Sequence, residues 1–310
     1  MATDLIIGLD GGGSKTLALL ANTEGQVLGR GTAGRSNYHA IGSEAACAAL
    51  NAAVQAAFEA AHLTPQRVDA IGLGLAGVDR PPDRAVFEQW IKTQATTGVI
   101  VSDARLVLAA GTPDDWGVAV IAGTGSIVIG RDPAGRADRA GGWGYLLGDE
   151  GSGFAIGLSA LRAIAQAADG RGPLTQLTDM ILAHWSLSKT SELIYQVYRT
   201  PVPTQEIAAL AELVEVAAAQ GDEVAQTLLH EAGYELARTT QAVIKRLQLP
   251  KPVPCAIAGG ALLSGERLQQ AWRSAVAALG LQLDPIARVD EPAQGAVRLA
   301  QQLVASAALT

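Results

Sequence analysis

The chain has 310 residues, 17% of them charged and 49% hydrophobic, with a formal net charge of -7. That length and apolar content suit one large or two medium domains with a substantial core and exclude a disordered chain. The acidic balance, without any long run of Lys or Arg, disfavours a nucleic-acid partner, which needs a basic face.

The first residues pass at once into an apolar run, without the basic start and long apolar core of a signal peptide. No stretch reaches the roughly 20 apolar residues that a membrane span needs. Cys47 and Cys255 lie far apart and form neither a metal nor a disulfide framework, so a reducing cytoplasm is the simplest compartment.

In chain order, apolar runs at 5–10, 17–22 and 27–32, joined by turn residues, predict an antiparallel meander. Residues 43–61 predict a helix, with Leu50, Val54 and Phe58 on one stripe. A strand at 68–76, a helix at 82–94, a strand at 98–102 and a helix at 103–110 follow. The pattern then restarts with strands at 118–122, 127–131 and 136–140. A long helical region covers about 153–249 and includes an amphipathic stretch at 222–247. A strand at 254–258, a helix at 265–279, a strand at 285–288 and a helix at 292–305, a candidate to pack back on the first copy, close the chain. The expected fold class is α/β, with the unit βββαβαβα present twice and the second copy enlarged by helices. The boundary is placed between 112 and 113, with a flexible joint at 111–113 and a cleft between the copies as the ligand site.

Each copy opens with a strand, a glycine turn and a second strand. In the first, Asp10-Gly11-Gly12-Gly13-Ser14-Lys15-Thr16 is neither a P-loop nor a dinucleotide fingerprint. Ser14 stands where a P-loop lysine belongs, and a strand follows where both motifs need a helix. A hairpin with bare backbone at Gly12 and Gly13 lets a phosphate approach N–H groups, and Ser14, Lys15 and Thr16 add donors. Asp10 beside such a cradle is a candidate for Mg²⁺, directly or through water. In the second copy Gly123-Thr124-Gly125-Ser126 repeats the turn. Asp103, at a strand end, is a candidate general base or a helix N-cap. The glycine-rich run 141–153 holds Trp143, Asp149 and Glu150, residue types that suit the apolar face and hydroxyl rim of a sugar. At 256–264, Gly259 and Gly260 open a strand-to-helix junction to a nucleoside.

Taken together, Leu9-Asp10-Gly11-Gly12-Gly13-Ser14-Lys15-Thr16, Gly123-Thr124-Gly125-Ser126 and Gly142-Trp143-Gly144 followed by Gly148-Asp149-Glu150-Gly151-Ser152 resemble one family. The chain is similar to N-acetylglucosamine kinases and the related BadF/BadG-type ATPases of the actin, hexokinase and Hsp70 superfamily. The resemblance covers nearly the whole chain and implies two ribonuclease-H-like domains and ATP with Mg²⁺ as cofactors. It implies Ser14, Thr124, Gly259, Gly260 and Ser264 at ATP, and Asp103 as base on the sugar 6-hydroxyl. It also implies Asn37, Ser126, Gly142, Trp143, Gly144 and Asp149 at the sugar, and a homodimer as a candidate assembly. The pair Tyr38-His39 departs from the His-Trp of animal members, and Arg105 stands where small residues are frequent; both bear on the acyl substituent. Glucosamine, glucose, N-acetylmannosamine and N-acetylmuramic acid stay open as acceptors, and a dehydratase-activating ATPase and a non-catalytic sugar sensor as rival classes. An activator would need cysteines for an iron–sulfur cluster, which Cys47 and Cys255 do not suit.

Overall fold

A computed structural model describes residues 4–78 and 81–307. The chain divides into two compact units, one made of residues 1–116 with 291–310 and the other of residues 117–290.

The first unit is built on a five-stranded sheet of order β3-β2-β1-β4-β5. Its strands are Leu5–Gly11 (β1), Thr16–Asn22 (β2), Val27–Ala33 (β3), Val68–Leu75 (β4) and Ala95–Ser102 (β5). β1, β2 and β3 pair antiparallel, whereas β1, β4 and β5 run parallel. Helices Tyr38–Ile41 (α1), Ser43–Ala60 (α2), Pro81–Gln94 (α3) and Asp103–Gly111 (α4) fill the connections.

β4 reads Val-Asp-Ala-Ile-Gly-Leu-Gly-Leu, and its two faces explain the layers. Ile71, Leu73 and Leu75 join Ile7, Leu9 and Leu20 in a core under α2 and α3. The alternate positions, Ala70, Gly72 and Gly74, face the other way and carry almost no side chain. On that bare face lies the last helix, Ala293–Ala307 (α12), whose Val297 packs with Ile6, Leu19 and Ala70. A Cβ on Gly72 would stand 2.0 Å from the Ala296 carbonyl oxygen, and one on Gly8 2.5 Å from the Val297 nitrogen. The small residues thus set how closely α12 approaches. Arg298 of α12 donates to the carbonyls of Ala109, Ala110 and Thr112, and Thr112 is buried with its hydroxyl on the Leu108 carbonyl. Residues 111–113, expected as a joint, are therefore tied down within this unit.

The second unit repeats the topology in the order β10-β9-β6-β7-β8. The strands are Gly117–Ala122 (β6), Ser126–Arg131 (β7), Ala137–Gly141 (β8), Val253–Ala258 (β9) and Leu283–Arg288 (β10). The β6–β7–β8 meander is antiparallel and β6, β9 and β10 are parallel, as in the first copy. The enlargement at 153–249 consists of Gly153–Ala168 (α5), Leu177–His184 (α6), Leu193–Val197 (α7), Thr204–Ala219 (α8) and Glu223–Leu247 (α9). Gly260–Ser264 (α10) and Glu266–Ala278 (α11) flank the last two strands. α9 is capped by the Asp222 carboxylate, which accepts from Ala225 N. Its apolar stripe, including Leu229, Leu236, Val243 and Leu247, forms one core with the sheet, α5, α8 and α11. Among the described residues no helix is long and apolar enough to cross a membrane.

Candidate functional site

In the first unit the candidate residues gather at the carboxyl ends of the parallel strands, where open α/β sheets place ligands. The β1–β2 hairpin closes with Gly11 opposite Thr16 and the Gly12 N–H on the Lys15 carbonyl. Gly13, Ser14 and Lys15 are exposed, and among the described residues their amides have no acceptor. A Cβ at Gly13 would meet nothing within 4 Å, so no internal packing requires glycine there. Exposed amides without an internal acceptor are what a phosphate needs.

Thr16 does not add a donor to this turn. It is wholly buried, with its hydroxyl 2.7 Å from the Gly34 carbonyl and 2.9 Å from Ser36 Oγ. One proton serves one acceptor, so Thr16 donates to Gly34 and accepts from Ser36. Ser36 N also donates to the Gly12 carbonyl. This network, unseen in the motif, fixes the next residue, Asn37, beside the hairpin. Asn37 Oδ1 is buried and, among the described residues, has no hydrogen-bond partner. A buried acceptor without a partner costs free energy, and a ligand hydroxyl would satisfy it.

Asp10 ends β1 and Asp103 follows β5 as the first residue of α4. Asp103 Oδ1 accepts from Ala104 N at 2.8 Å, so the carboxylate lies at the helix N-terminus while the residue stays exposed. The acid of Asp10 is pushed up from 3.8 to about 6, by burial first, then by the charge of Asp103; Lys15 opposes both. Asp10, Lys15 and Asp103 therefore share one electrostatic neighbourhood. A partly buried carboxylate, its acid raised first by that burial and then by a neighbouring carboxylate, is a fit for a divalent cation, whose charge favours the ionised form.

In the second unit the matching turn, Gly123 to Gly125, is carried differently. Gly153 N and Phe154 N, in the first turn of α5, donate to the carbonyls of Gly123 and Thr124. The amides that a helix N-terminus ordinarily offers to an anion are thus holding the hairpin. The amides of Thr124 and Gly125 have no acceptor among the described residues. Asp149, expected at the sugar, is the brace of the glycine-rich loop. Its Oδ1 accepts from Gly144 N at 3.2 Å, and the Ser126 amide also donates to its carboxylate. A Cβ on Gly125 would stand 2.6 Å from Asp149 Oδ2, so glycine there admits the carboxylate. Burial raises the Asp149 acid most, and Glu150 adds to that; the Gly144 and Ser126 amides lower it. Ser126 Oγ donates to the Glu150 carbonyl. The loop so held presents Trp143, 66% exposed, with the Arg139 guanidinium 5.4 Å from its ring centre. Gly142 and Gly144 flank it with φ of 68° and 83°, left-handed values that favour glycine.

A cavity of about 470 Å³ opens beside this turn, lined by Gly123, Thr124, Gly260, Ser264, Glu212 and Leu268 among others. It joins the second turn to the β9–α10 junction, bringing Gly260 and Ser264 to the same cavity as Thr124. Its walls from α8, α9 and α11 carry no motif. The only hint in the sequence was the recurrence of Ala208, Glu212 and Val216 at four-residue spacing. Gly259 lies at φ 92° and is packed against Ala122, so it shapes the junction, whereas Gly260 has open space at its Cβ position.

Two mixed five-stranded sheets of identical topology, each with a glycine turn on its first hairpin, define the fold of the actin-like ATPases with two domains. The chain belongs to the BadF/BadG/BcrA/BcrD ATPase family, whose profile matches residues 7–300. The N-acetylmuramic acid/N-acetylglucosamine kinase of Clostridium acetobutylicum is 36% identical over 260 residues, 83% of this chain and 85% of that protein. The N-acetyl-D-glucosamine kinase of Dictyostelium discoideum is 36% identical over 263 residues, 81% of this chain and 82% of that one. A solved structure from Chromobacterium violaceum, a candidate N-acetylglucosamine kinase, superposes with a TM-score of 0.76 at 28% identity, covering 96% of this chain and 99% of that one.

Proposed function

We propose that this chain is an ATP-dependent kinase that phosphorylates the 6-hydroxyl of N-acetylglucosamine in the cytoplasm. Two relatives, each covered over more than four-fifths of its length, are named for that sugar. The observation that carries the reading is the gathering, in one unit, of an exposed carboxylate at Asp103, a phosphate-accepting turn at 13–15 and an orphaned acceptor on Asn37. Those are the parts a hydroxyl phosphorylation needs on the acceptor side. The cavity beside Thr124 supplies room for a nucleoside.

In this reaction Asn37 Oδ1 accepts from a sugar hydroxyl and Trp143 offers its exposed face to the ring. Asp103 orients the 6-hydroxyl and takes its proton as the oxygen attacks the γ-phosphorus; the bond to the β-phosphate oxygen breaks and ADP leaves. The amides of 13–15 and of Thr124 and Gly125 hold phosphate oxygens. Asp10 is the residue to hold Mg²⁺, directly or through water. When bound, that ion neutralises phosphate charge. Asp149 acts through the loop that it braces. Closure over the sugar limits transfer to water.

The test is coupled ADP release across N-acetylglucosamine, glucosamine, glucose, N-acetylmannosamine and N-acetylmuramic acid, with a control lacking sugar. ADP release that depends on N-acetylglucosamine supports the reading. Release independent of sugar, or none with any sugar, overturns it. The Vibrio cholerae glucosamine kinase is 30% identical over 182 residues, so a preference for glucosamine would change the acceptor sugar to the one with a free 2-amine, still phosphorylated on its 6-hydroxyl, and keep the class.

A further inference from the structure

The cavity of the second unit runs along one face of α8, and that helix serves as a ruler. Ala208, Glu212 and Val216 line it at intervals of four residues, which are about 6 Å apart along a helix axis. Ala208 marks the phosphate end. Its carbonyl oxygen would be 3.0 Å from a Cβ on Gly153, and Gly153 N is bonded to the Gly123 carbonyl of the turn. Val216 stands at the far end of the same face, and Leu229 and Leu268 add to the apolar lining, the kind of surface a purine ring requires. Glu212 lies between Ala208 and Val216.

Two carboxylates line this cavity, and they are not equivalent. Glu215 is engaged in capping α11, where it accepts from the amides of Leu268 and Arg267. Glu212 has neither a hydrogen-bond nor an ion-pair partner among the described residues. A carboxylate only accepts. One turn from a triphosphate, its charge opposes binding unless the ligand brings donors. Away from its phosphates, ATP has three donor groups: the 2′-hydroxyl, the 3′-hydroxyl and the exocyclic amine. One turn from the phosphates and one turn before the apolar end, the group at hand is the ribose.

We propose that Glu212 accepts from the ribose hydroxyls of the nucleotide and makes this site select ribonucleoside over deoxyribonucleoside triphosphates. The proposal rests on the reading of this cavity as the nucleotide site of a kinase. Its test compares kcat/KM for ATP, 2′-deoxy-ATP and 3′-deoxy-ATP at saturating sugar, in the full-length wild type and in Glu212→Ala. The ratio is read within one enzyme, so any partial loss of folded protein cancels. The wild type should prefer ATP over at least one deoxy form about tenfold, the scale of one hydrogen bond to a charged acceptor. Glu212→Ala should bring that ratio to near one. An unchanged ratio in the variant, or a wild type indifferent to both deoxy forms, overturns the proposal while leaving the kinase intact. A wild type that turns over none of the three nucleotides with any sugar removes the underlying reading and this one with it.

Discussion

Replacing Asp10 with Asn should stabilise the protein while abolishing turnover, and the gain should depend on pH in a way that no packing effect reproduces. In the folded chain the Asp10 acid titrates at about 6 instead of 3.8, through burial and then the charge of Asp103. At about 1.4 kcal/mol per pH unit, that gap makes ionised Asp10 about 3 kcal/mol unfavourable to folding. The sign follows from the direction. A carboxyl whose folded value is raised stays neutral in the fold while it ionises in the unfolded chain. The penalty is absent below 3.8, grows as pH rises, and is complete above about 6. Asn cannot ionise and avoids it. Linkage then gives a penalty removed of about 1 kcal/mol at pH 4.5 and about 3 kcal/mol at pH 7.5. Urea unfolding of wild type and Asp10→Asn at the two pH values, in EDTA, should show the variant's relative stability rising by about 2 kcal/mol between them. Mg²⁺ should narrow the difference at pH 7.5 by stabilising the ionised wild type. A difference that is the same at both pH values, or that turns against Asn as pH rises, would refute the placement of Asp10 in a partly buried, carboxylate-flanked position.

Other substitutions separate the remaining roles. Asp103→Asn should lower kcat on N-acetylglucosamine by about 10² to 10⁴ with the sugar Kd nearly unchanged, the usual range for a general base; near-normal turnover would remove the role. Asn37→Ala discards an orphaned buried acceptor, so it should raise the sugar KM about tenfold while Tm stays level or rises. Gly125→Ala forces a methyl against Asp149 Oδ2 and should loosen the Trp143 loop, seen as a loss of kcat/KM of roughly tenfold or more. Gly72→Ala, at the α12 contact, should cost roughly 3 kcal/mol in denaturant unfolding by overpacking; a neutral result would mean that α12 can slide.

Much of the fold was legible because its strands alternate or run apolar between strong turn residues. β4 shows both the success and its limit. The strand was legible, but the bare face made by Ala70, Gly72 and Gly74 was not read from it, and the return of the last helix to the first copy was expected without the face on which it lies, because that contact joins residues some 220 positions apart. α1 was missed because four residues carry too little periodicity. β5 begins at Ala95, directly after α3 ends at Gln94, and no turn residue announces the change. The helical region 153–249 was read as one block, yet the structure breaks it at 169–176 and 198–203, where Gly170, Gly172, Pro201 and Pro203 stand. The site was legible as motifs and not as mechanics. Asn37 came from resemblance alone, and what fixes it, the Thr16–Ser36 hydroxyl pair, looked in sequence like ordinary polar residues.

The two turns show most clearly what a repeated motif leaves open. Both end a first strand and begin a second, but the first spans residues 12–15 and the second 123–125. The longer turn is anchored from outside by Ser36 N on the Gly12 carbonyl and Ala76 N on the Gly11 carbonyl, which ties it to the loop bearing Asn37. The shorter one hangs from the first turn of α5 and is locked by Asp149, which ties it to the loop bearing Trp143. Each turn proposed to hold phosphate is thus mechanically joined to a different residue proposed to touch the sugar. Anything that shifts Asn37 must then pull on one turn, and anything that shifts Trp143 on the other. Binding of sugar and of nucleotide should accordingly be coupled in both directions by the same factor, as linkage demands. Equilibrium binding of ADP with and without N-acetylglucosamine measures it. Strictly additive binding free energies would show that these braces hold the turns still and transmit nothing.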